Sequence, residues 1–115
     1  MTEPVLNVTT TDIAPEAAVL SAAGDIDFGS EHVLRTAAAS AFERNVTRLV
    51  VDVGRVRICD SSGLSLFVDL HRQTTARGGW FRLAGPGPLL VKTLAVTNLD
   101  RVLPAYDTVD AALAG

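Results

Sequence analysis

The chain has 115 residues, 48% of them hydrophobic, and a formal net charge of −3, enough for one domain that buries roughly two-thirds of its unfolded surface around a single core. Nine Arg and one Lys lie scattered along this acidic chain, which excludes a nucleic-acid groove of clustered cations, and the single cysteine, Cys59, excludes an internal disulfide and fits a reducing compartment. No apolar stretch reaches the ~20 residues of a membrane helix, and Met1-Thr2-Glu3-Pro4 lacks the basic start of a signal peptide, so a soluble cytoplasmic protein without direct membrane insertion is expected.

In chain order, Val5 to Thr9 alternates apolar and polar residues as a half-buried strand does, and Thr10-Thr11-Asp12 with Pro15 predicts a turn. Ala17 to Ala23 predicts a second strand, paired with the first in an antiparallel hairpin whose loop is longer than the tight two-residue type. Gly24-Asp25-Ile26-Asp27-Phe28-Gly29 follows as a strand end and loop carrying two carboxylates. Ser30 before Glu31 marks a helix start, and Val33, Leu34, Ala37, Ala38, Ala41 and Phe42 give that helix one apolar stripe up to Arg44-Asn45.

Leu49-Val50-Val51-Asp52-Val53 is a nearly continuous apolar run, rich in β-branched residues, which suits a strand buried on both faces. Gly54 to Cys59 then reads as a connection. Leu64, Phe67, Leu70 and Thr74 recur three to four apart along one helix face, and Arg77-Gly78-Gly79 ends that helix. A strand is expected at Trp80 to Ala84, stopped by Gly85-Pro86-Gly87-Pro88, with Pro88 as the first residue of a short apolar helix through Val96. Asn98 caps its end, Val102-Leu103 before Pro104 predicts a brief extended segment, and Asp107 with Asp110 predicts a capping arrangement for a last helix through Val109 and Leu113. Strands alternating with helices after an opening hairpin define an α/β fold: a small mixed sheet of four to five strands, mainly parallel in its later part, covered by about four helices. Residues 1–115 read as a single domain.

Asp60-Ser61-Ser62-Gly63 sits between the buried strand and the helix that follows it. A helix start gathers free backbone N–H groups and the positive end of the dipole, so a hydroxyl there can cap the helix and an added phosphate is favoured. Ser61 and Ser62 therefore read either as N-caps or as a switch.

The segments Gly24-Asp25-Ile26-Asp27, Leu49-Val50-Val51-Asp52, Cys59-Asp60-Ser61-Ser62-Gly63-Leu64 and Ala76-Arg77-Gly78-Gly79 resemble those of STAS-domain anti-sigma factor antagonists of bacteria, and the likeness continues through Leu83-Ala84-Gly85-Pro86 and Leu99-Asp100-Arg101-Val102-Leu103-Pro104. The resemblance covers nearly the whole chain and implies partner switching. The unmodified antagonist binds an anti-sigma factor that is also a serine kinase, a sigma factor is freed, phosphorylation reverses the binding, and a phosphatase resets it. Carried over by position, the resemblance makes Ser61 the phosphoacceptor, sets Asp60 against the kinase's nucleotide site, has Ser62 help start the helix, and makes Asp27 the partner-contacting aspartate of the acidic loop. Asp27, Asp60, Ser61, Ser62 and Gly63 are the expected partner-binding residues. Asp25 replaces the family's usual Glu, and Cys59 stands where a larger apolar side chain is usual.

Charge alone can drive such a switch. A phosphate on Ser61 brings about −1.5 to −2 charges beside Asp60. Two unit charges ~4 Å apart interact by about 1 kcal/mol in water and about 4 kcal/mol at an effective dielectric near 20, against typically under ~1 kcal/mol returned by the helix dipole. Phosphorylation is therefore expected to change the docking surface and leave the fold intact.

Other readings stand beside these. Asp25 and Asp27 read equally as solvated loop carboxylates that support the following helix, Trp80 and Phe81 as core and edge packing, Cys59 as a small buried hydrophobe, and His32 and His71 as surface or boundary residues without companions at metal-ligand spacing. A Ser61 nucleophile with His32 or His71 as base lacks the Gly-x-Ser-x-Gly elbow, and the Gly85 to Pro88 loop lacks the Lys and Ser or Thr of a phosphate-binding loop, so neither catalysis nor a cofactor is expected. The competing function is a non-catalytic STAS subunit docked to a membrane transporter of the lipid-transport type. Such subunits often carry Asp-Ser-Ala-Gly, and Ser62 favours the antagonist. Oligomeric state is left open by the scattered surface charge.

Overall fold

The computed structural model describes residues 6–115, so Met1 to Pro4 and the expected strand start at Val5 lie outside the described residues. Strands β1 (Leu6–Ala14) and β2 (Ala17–Ile26) form the opening antiparallel hairpin. Its loop is shorter than expected: Ala14 pairs with Ala17, and the chain reverses over Pro15 and Glu16 alone. Thr9-Thr10-Thr11 continues the strand where a turn was expected at Thr10 to Asp12, because three β-branched side chains suit an exposed edge strand. A register irregularity between Asp12 and Ala14 absorbs the extra residue Ile13.

The remaining elements are α1 (Glu31–Glu43), β3 (Arg48–Cys59), α2 (Ser61–Ala76), β4 (Trp80–Ala84), α3 (Pro88–Val96), a 3₁₀ turn (Leu99–Arg101), β5 (Ala105–Tyr106) and α4 (Val109–Ala114). The five strands lie in the order β1-β2-β3-β4-β5, antiparallel in the hairpin and parallel thereafter. This is the expected mixed sheet with four helices.

Strand alternation divides the core into two. Ala18, Leu20 and Ala22 of β2 and Leu49, Val51 and Val53 of β3 pack with Leu34, Ala38, Ala41 and Phe42 of α1 and Leu64, Phe67 and Leu70 of α2. Val19, Val50 and Ala84 point the other way, against Ala112 of α4. The run Leu49 to Val53 is thus buried on both faces, as its composition requires. Phe81 is buried and tilted against Phe67, and Trp80 at the strand start carries the Arg82 guanidinium 3.8 Å above its ring. Arg82 also donates from Nη1 to the Ala112 carbonyl at 2.9 Å, which fastens α4 to the sheet.

Several boundaries move from the sequence expectation, each for a tertiary reason. Gly24 and Asp25 belong to β2 and Gly54 to Cys59 belong to β3, because the two strands go on pairing as far as Ile26 with Cys59, past two register irregularities. Val102-Leu103 is not extended: the 3₁₀ turn precedes it, and the strand comes after Pro104, where Ala105 and Tyr106 pair with Leu83 and Ala84. Thr108 caps α4 by accepting from the Ala111 N–H at 3.0 Å, so the expected Asp107–Asp110 arrangement does not supply the cap.

The end of α2 depends on its glycines. Gly78, at φ 81°, turns the chain out of the helix, and the Gly79 N–H donates to the Thr74 carbonyl at 2.9 Å. A Cβ at Gly79 would overlap the Thr47 carbonyl group, whereas one at Gly87 would meet nothing within 4 Å. Gly79→Ala is expected to lower stability by about 1–3 kcal/mol, read as a lower urea midpoint at unchanged slope, and Gly87→Ala, which clashes with nothing and only weakens the N-cap of α3, by less, at most about 1 kcal/mol. Equal midpoints for the two variants would refute this packing.

Candidate functional site

β2 and β3 run parallel and finish together, with Ile26 opposite Cys59. The turns that leave the two strands therefore emerge side by side, at the carboxyl end of the parallel strands, where open α/β sheets gather their functional groups. The Asp60 N–H donates to the Ile26 carbonyl at 3.0 Å and fastens the start of one turn to the other.

Asp60 caps α2. Its backbone is extended, and its Oδ1 accepts the Ser62 N–H at 2.8 Å and the Gly63 N–H at 3.3 Å. Its Oδ2 accepts the Phe28 N–H at 3.2 Å, from the turn after β2. The N-cap expected of Ser61 or Ser62 is thus supplied by the residue before them. Ser61 is the first residue of α2 and exposed, and Ser62 is half-buried.

Asp27 performs the same service for the neighbouring turn. Its Oδ1 accepts from the Gly29 and Ser30 N–H groups, each at 3.0 Å, and its carbonyl accepts from the Glu31 N–H at 2.8 Å. Ser30, expected to cap α1 with its hydroxyl, turns that hydroxyl inward: it donates to the Asp25 carbonyl at 2.6 Å and accepts from the Asp27 N–H at 3.0 Å. The turn is closed on itself, with Phe28 projecting from it almost fully exposed. Phe28 was not singled out in the sequence, because an aromatic in a loop belongs to no apolar period. Its position between Asp27 and Gly29, a turn residue, was the available signal.

Beneath the turns the packing is close. A Cβ at Gly63 would stand 2.6 Å from Cys59 Sγ and 2.7 Å from Ile26 Cγ2, so the first turn of α2 lies against the strand ends only with glycine at this position. Burial, with the Asp60 charge second, pushes the Cys59 thiol up to about 12. Asp25, a solvated loop carboxylate by sequence, sits within β2 and receives both Nε and Nη2 of Arg57, at 3.1 and 2.7 Å. On the outer side of β3, Ile58 and Cys59 meet Gly87 to Leu90 of the α3 start in an apolar-lined groove of about 280 Å³. Asp27, Asp60, Ser61, Ser62 and Gly63 are thus brought together. His71 is not among them: it stands ten residues along α2 from Ser61, about 15 Å away, with Nδ1 buried and unpartnered. His32 is exposed on α1.

Two measurements check this geometry. Asp60→Ala is expected to lower stability by about 0.5–2 kcal/mol in urea unfolding and to speed amide exchange at Phe28, Ser62 and Gly63 together; protection lost at the helix start alone would refute the tie to the Phe28 turn. For Cys59, burial favours the neutral thiol in the folded state. Its stabilising contribution is whole below about pH 9 and is lost as pH climbs from 9.0 to about 12. Alkylation of the folded protein is correspondingly expected to be far slower at pH 8 than in urea, and equal rates would contradict the burial.

Among the described residues, no helix is long and apolar enough to cross a membrane. The family model "Mlab, STAS domain" matches residues 9–104. A Mycobacterium tuberculosis protein provisionally named an anti-anti-sigma factor is 33% identical over 107 residues, spanning 90% of this chain and 72% of the relative. The crystal structure of an anti-sigma factor antagonist from Mycobacterium paratuberculosis superposes with a TM-score of 0.85 at 25% identity, over 99% of this chain and 97% of that one. The anti-sigma factor antagonist SpoIIAA shares the fold in its unphosphorylated form (TM-score 0.74, 21% identity, 94% of each chain) and in its phosphorylated form (0.73, 23%, 94% and 97%). A mixed five-stranded sheet with the acidic turn and the capped helix start side by side, on a sequence matched over most of its length, places the chain in the STAS-domain family, among the relatives of anti-sigma factor antagonists.

Proposed function

We propose that the protein is an anti-sigma factor antagonist acting by partner switching in the bacterial cytoplasm, as a single STAS domain spanning residues 1–115. The unphosphorylated form binds an anti-sigma factor that is also a serine kinase, and the sigma factor is released. Phosphorylation of Ser61 reverses the binding, and a protein phosphatase resets it. Asp27, Asp60, Ser61 and Ser62 make up the docking surface; Gly63, expected there from the sequence, is buried under it and lets α2 start against the strand ends. The domain itself serves as binding module and phosphoacceptor, not as catalyst.

The observation that carries this reading is the division of labour at the start of α2. Asp60 makes the capping bonds, while Ser61 stands exposed beside it. The Ser61 hydroxyl is therefore not required to start the helix and is accessible to a kinase. A phosphate there meets a carboxylate that cannot swing away, since both Asp60 oxygens already accept backbone donors at 2.8 to 3.3 Å. The added charge acts mainly on whatever docks against this surface. Shifting binding from 99:1 to 1:99 takes about 5.5 kcal/mol, within reach of a desolvated and unpaired phosphate. That SpoIIAA keeps the fold in both phosphorylation states supports a local change of charge over a refolding.

The test is intact mass after incubation with ATP and the candidate anti-sigma kinases, beside Ser61→Ala and Ser62→Ala. One added phosphate, lost only in Ser61→Ala, is expected. A phosphate lost in Ser62→Ala instead would reassign the acceptor. In a pull-down with the same protein, capture of a transporter ATPase and no kinase would replace the antagonist by the transporter-subunit function.

A further inference from the structure

We propose that Phe28 is the apolar anchor of the docking surface, and that the partner receives it in an apolar pocket bordered by cationic side chains. This rests on the partner-switching reading and names the recognition chemistry of the same site. Phe28 is 84% exposed, more than any other large apolar side chain among the described residues, where Val96 follows at 73% and Leu89 at 67%. An exposed aliphatic on a helix is ordinary surface. A Phe held out on a closed turn is not, because the turn's hydrogen bonds leave its ring nothing to pack against.

The turn is also fixed before any partner arrives. The Phe28 N–H is held by Asp60 Oδ2, the Gly29 and Ser30 N–H groups by Asp27 Oδ1, and the Ser30 hydroxyl by the Asp25 carbonyl. Ordering costs on binding are thereby reduced to the rotation of one aromatic side chain with two torsions. Aromatic side chains presented in this way are the usual centres of binding energy in protein interfaces, filling a pocket while polar neighbours form the rim. Here the rim consists of the carboxylates of Asp27 and Asp60, one preceding Phe28 in sequence and one holding its N–H. That charge selects cations around the partner's pocket and gives the interface its sign. The bond between Phe28 and Asp60 further joins the anchor to the residue beside the phosphoacceptor, so anchor and switch act on one contact.

The test is calorimetric titration of the full unphosphorylated chain with the kinase that modifies Ser61. Phe28→Ala is expected to bind roughly 30-fold more weakly or worse, the scale of an interface hot spot, with its melting temperature unchanged because the side chain makes no core contact. Phe28→Leu is expected to fall between, and Val96→Ala, at the far end of α3 from the groove, to bind as the unsubstituted chain does. In steady-state phosphorylation of Ser61, Phe28→Ala is expected to raise KM and leave kcat unchanged. Full-strength binding by Phe28→Ala, or an equal loss in Val96→Ala, overturns the anchor and leaves partner switching standing. Failure of the unsubstituted chain to bind any kinase removes both.

Discussion

The carboxylate of Asp60 is the contact on which this site depends. One oxygen takes two of the N–H groups that a helix start leaves without partners, and the other reaches the turn after the neighbouring strand. Helix α2 and the Phe28 turn are thereby held by a single side chain. Parallel pairing makes this arrangement possible, since only strands that run the same way deliver their following turns to the same edge. The Ile26–Cys59 register sets those turns side by side, and the Asp60 N–H ties them by donating to the Ile26 carbonyl.

Beneath that contact the chain has little freedom. Gly63 lets α2 approach Cys59 and Ile26 more closely than any residue with a Cβ allows. Cys59 stands under the first turn as a neutral thiol. Close packing of this kind transmits strain but does not deform gradually. A phosphate at the exposed first residue of α2 thus acts outward, on a partner, more readily than inward on the sheet.

Asp25 lies within β2, and its carboxylate receives Arg57 as a two-pronged pair. With Arg57 exposed and Asp25 half-buried, such a pair contributes on the order of 1 kcal/mol, so its effect is more on the sign of the surface than on stability. It pairs one carboxylate of the acidic segment, while Asp27 adjoins Phe28 in sequence and Asp60 holds its N–H.

Much of this protein was determined by sequence-local physics. The two-faced burial of Leu49 to Val53, the apolar stripes of α1 and α2, the exit from α2 at Gly78-Gly79 and the start of α3 at Pro88 all follow from periodicity, β-branching and the conformational habits of Gly and Pro. The grouping of Asp60, Ser61, Ser62 and Gly63 at a helix start was legible for the same reason. Tertiary structure decided what no short stretch encodes: how far β2 and β3 continue to pair, that Thr108 and not Asp107 caps α4, that Ser30 turns its hydroxyl inward, and that Asp60 and not a serine caps α2. Each of these turns on a donor or acceptor supplied by another part of the chain, or on which of several adjacent candidates the backbone aims correctly. Polar side chains near a helix start are interchangeable in sequence and become distinct only when the neighbouring strand brings its own turn alongside.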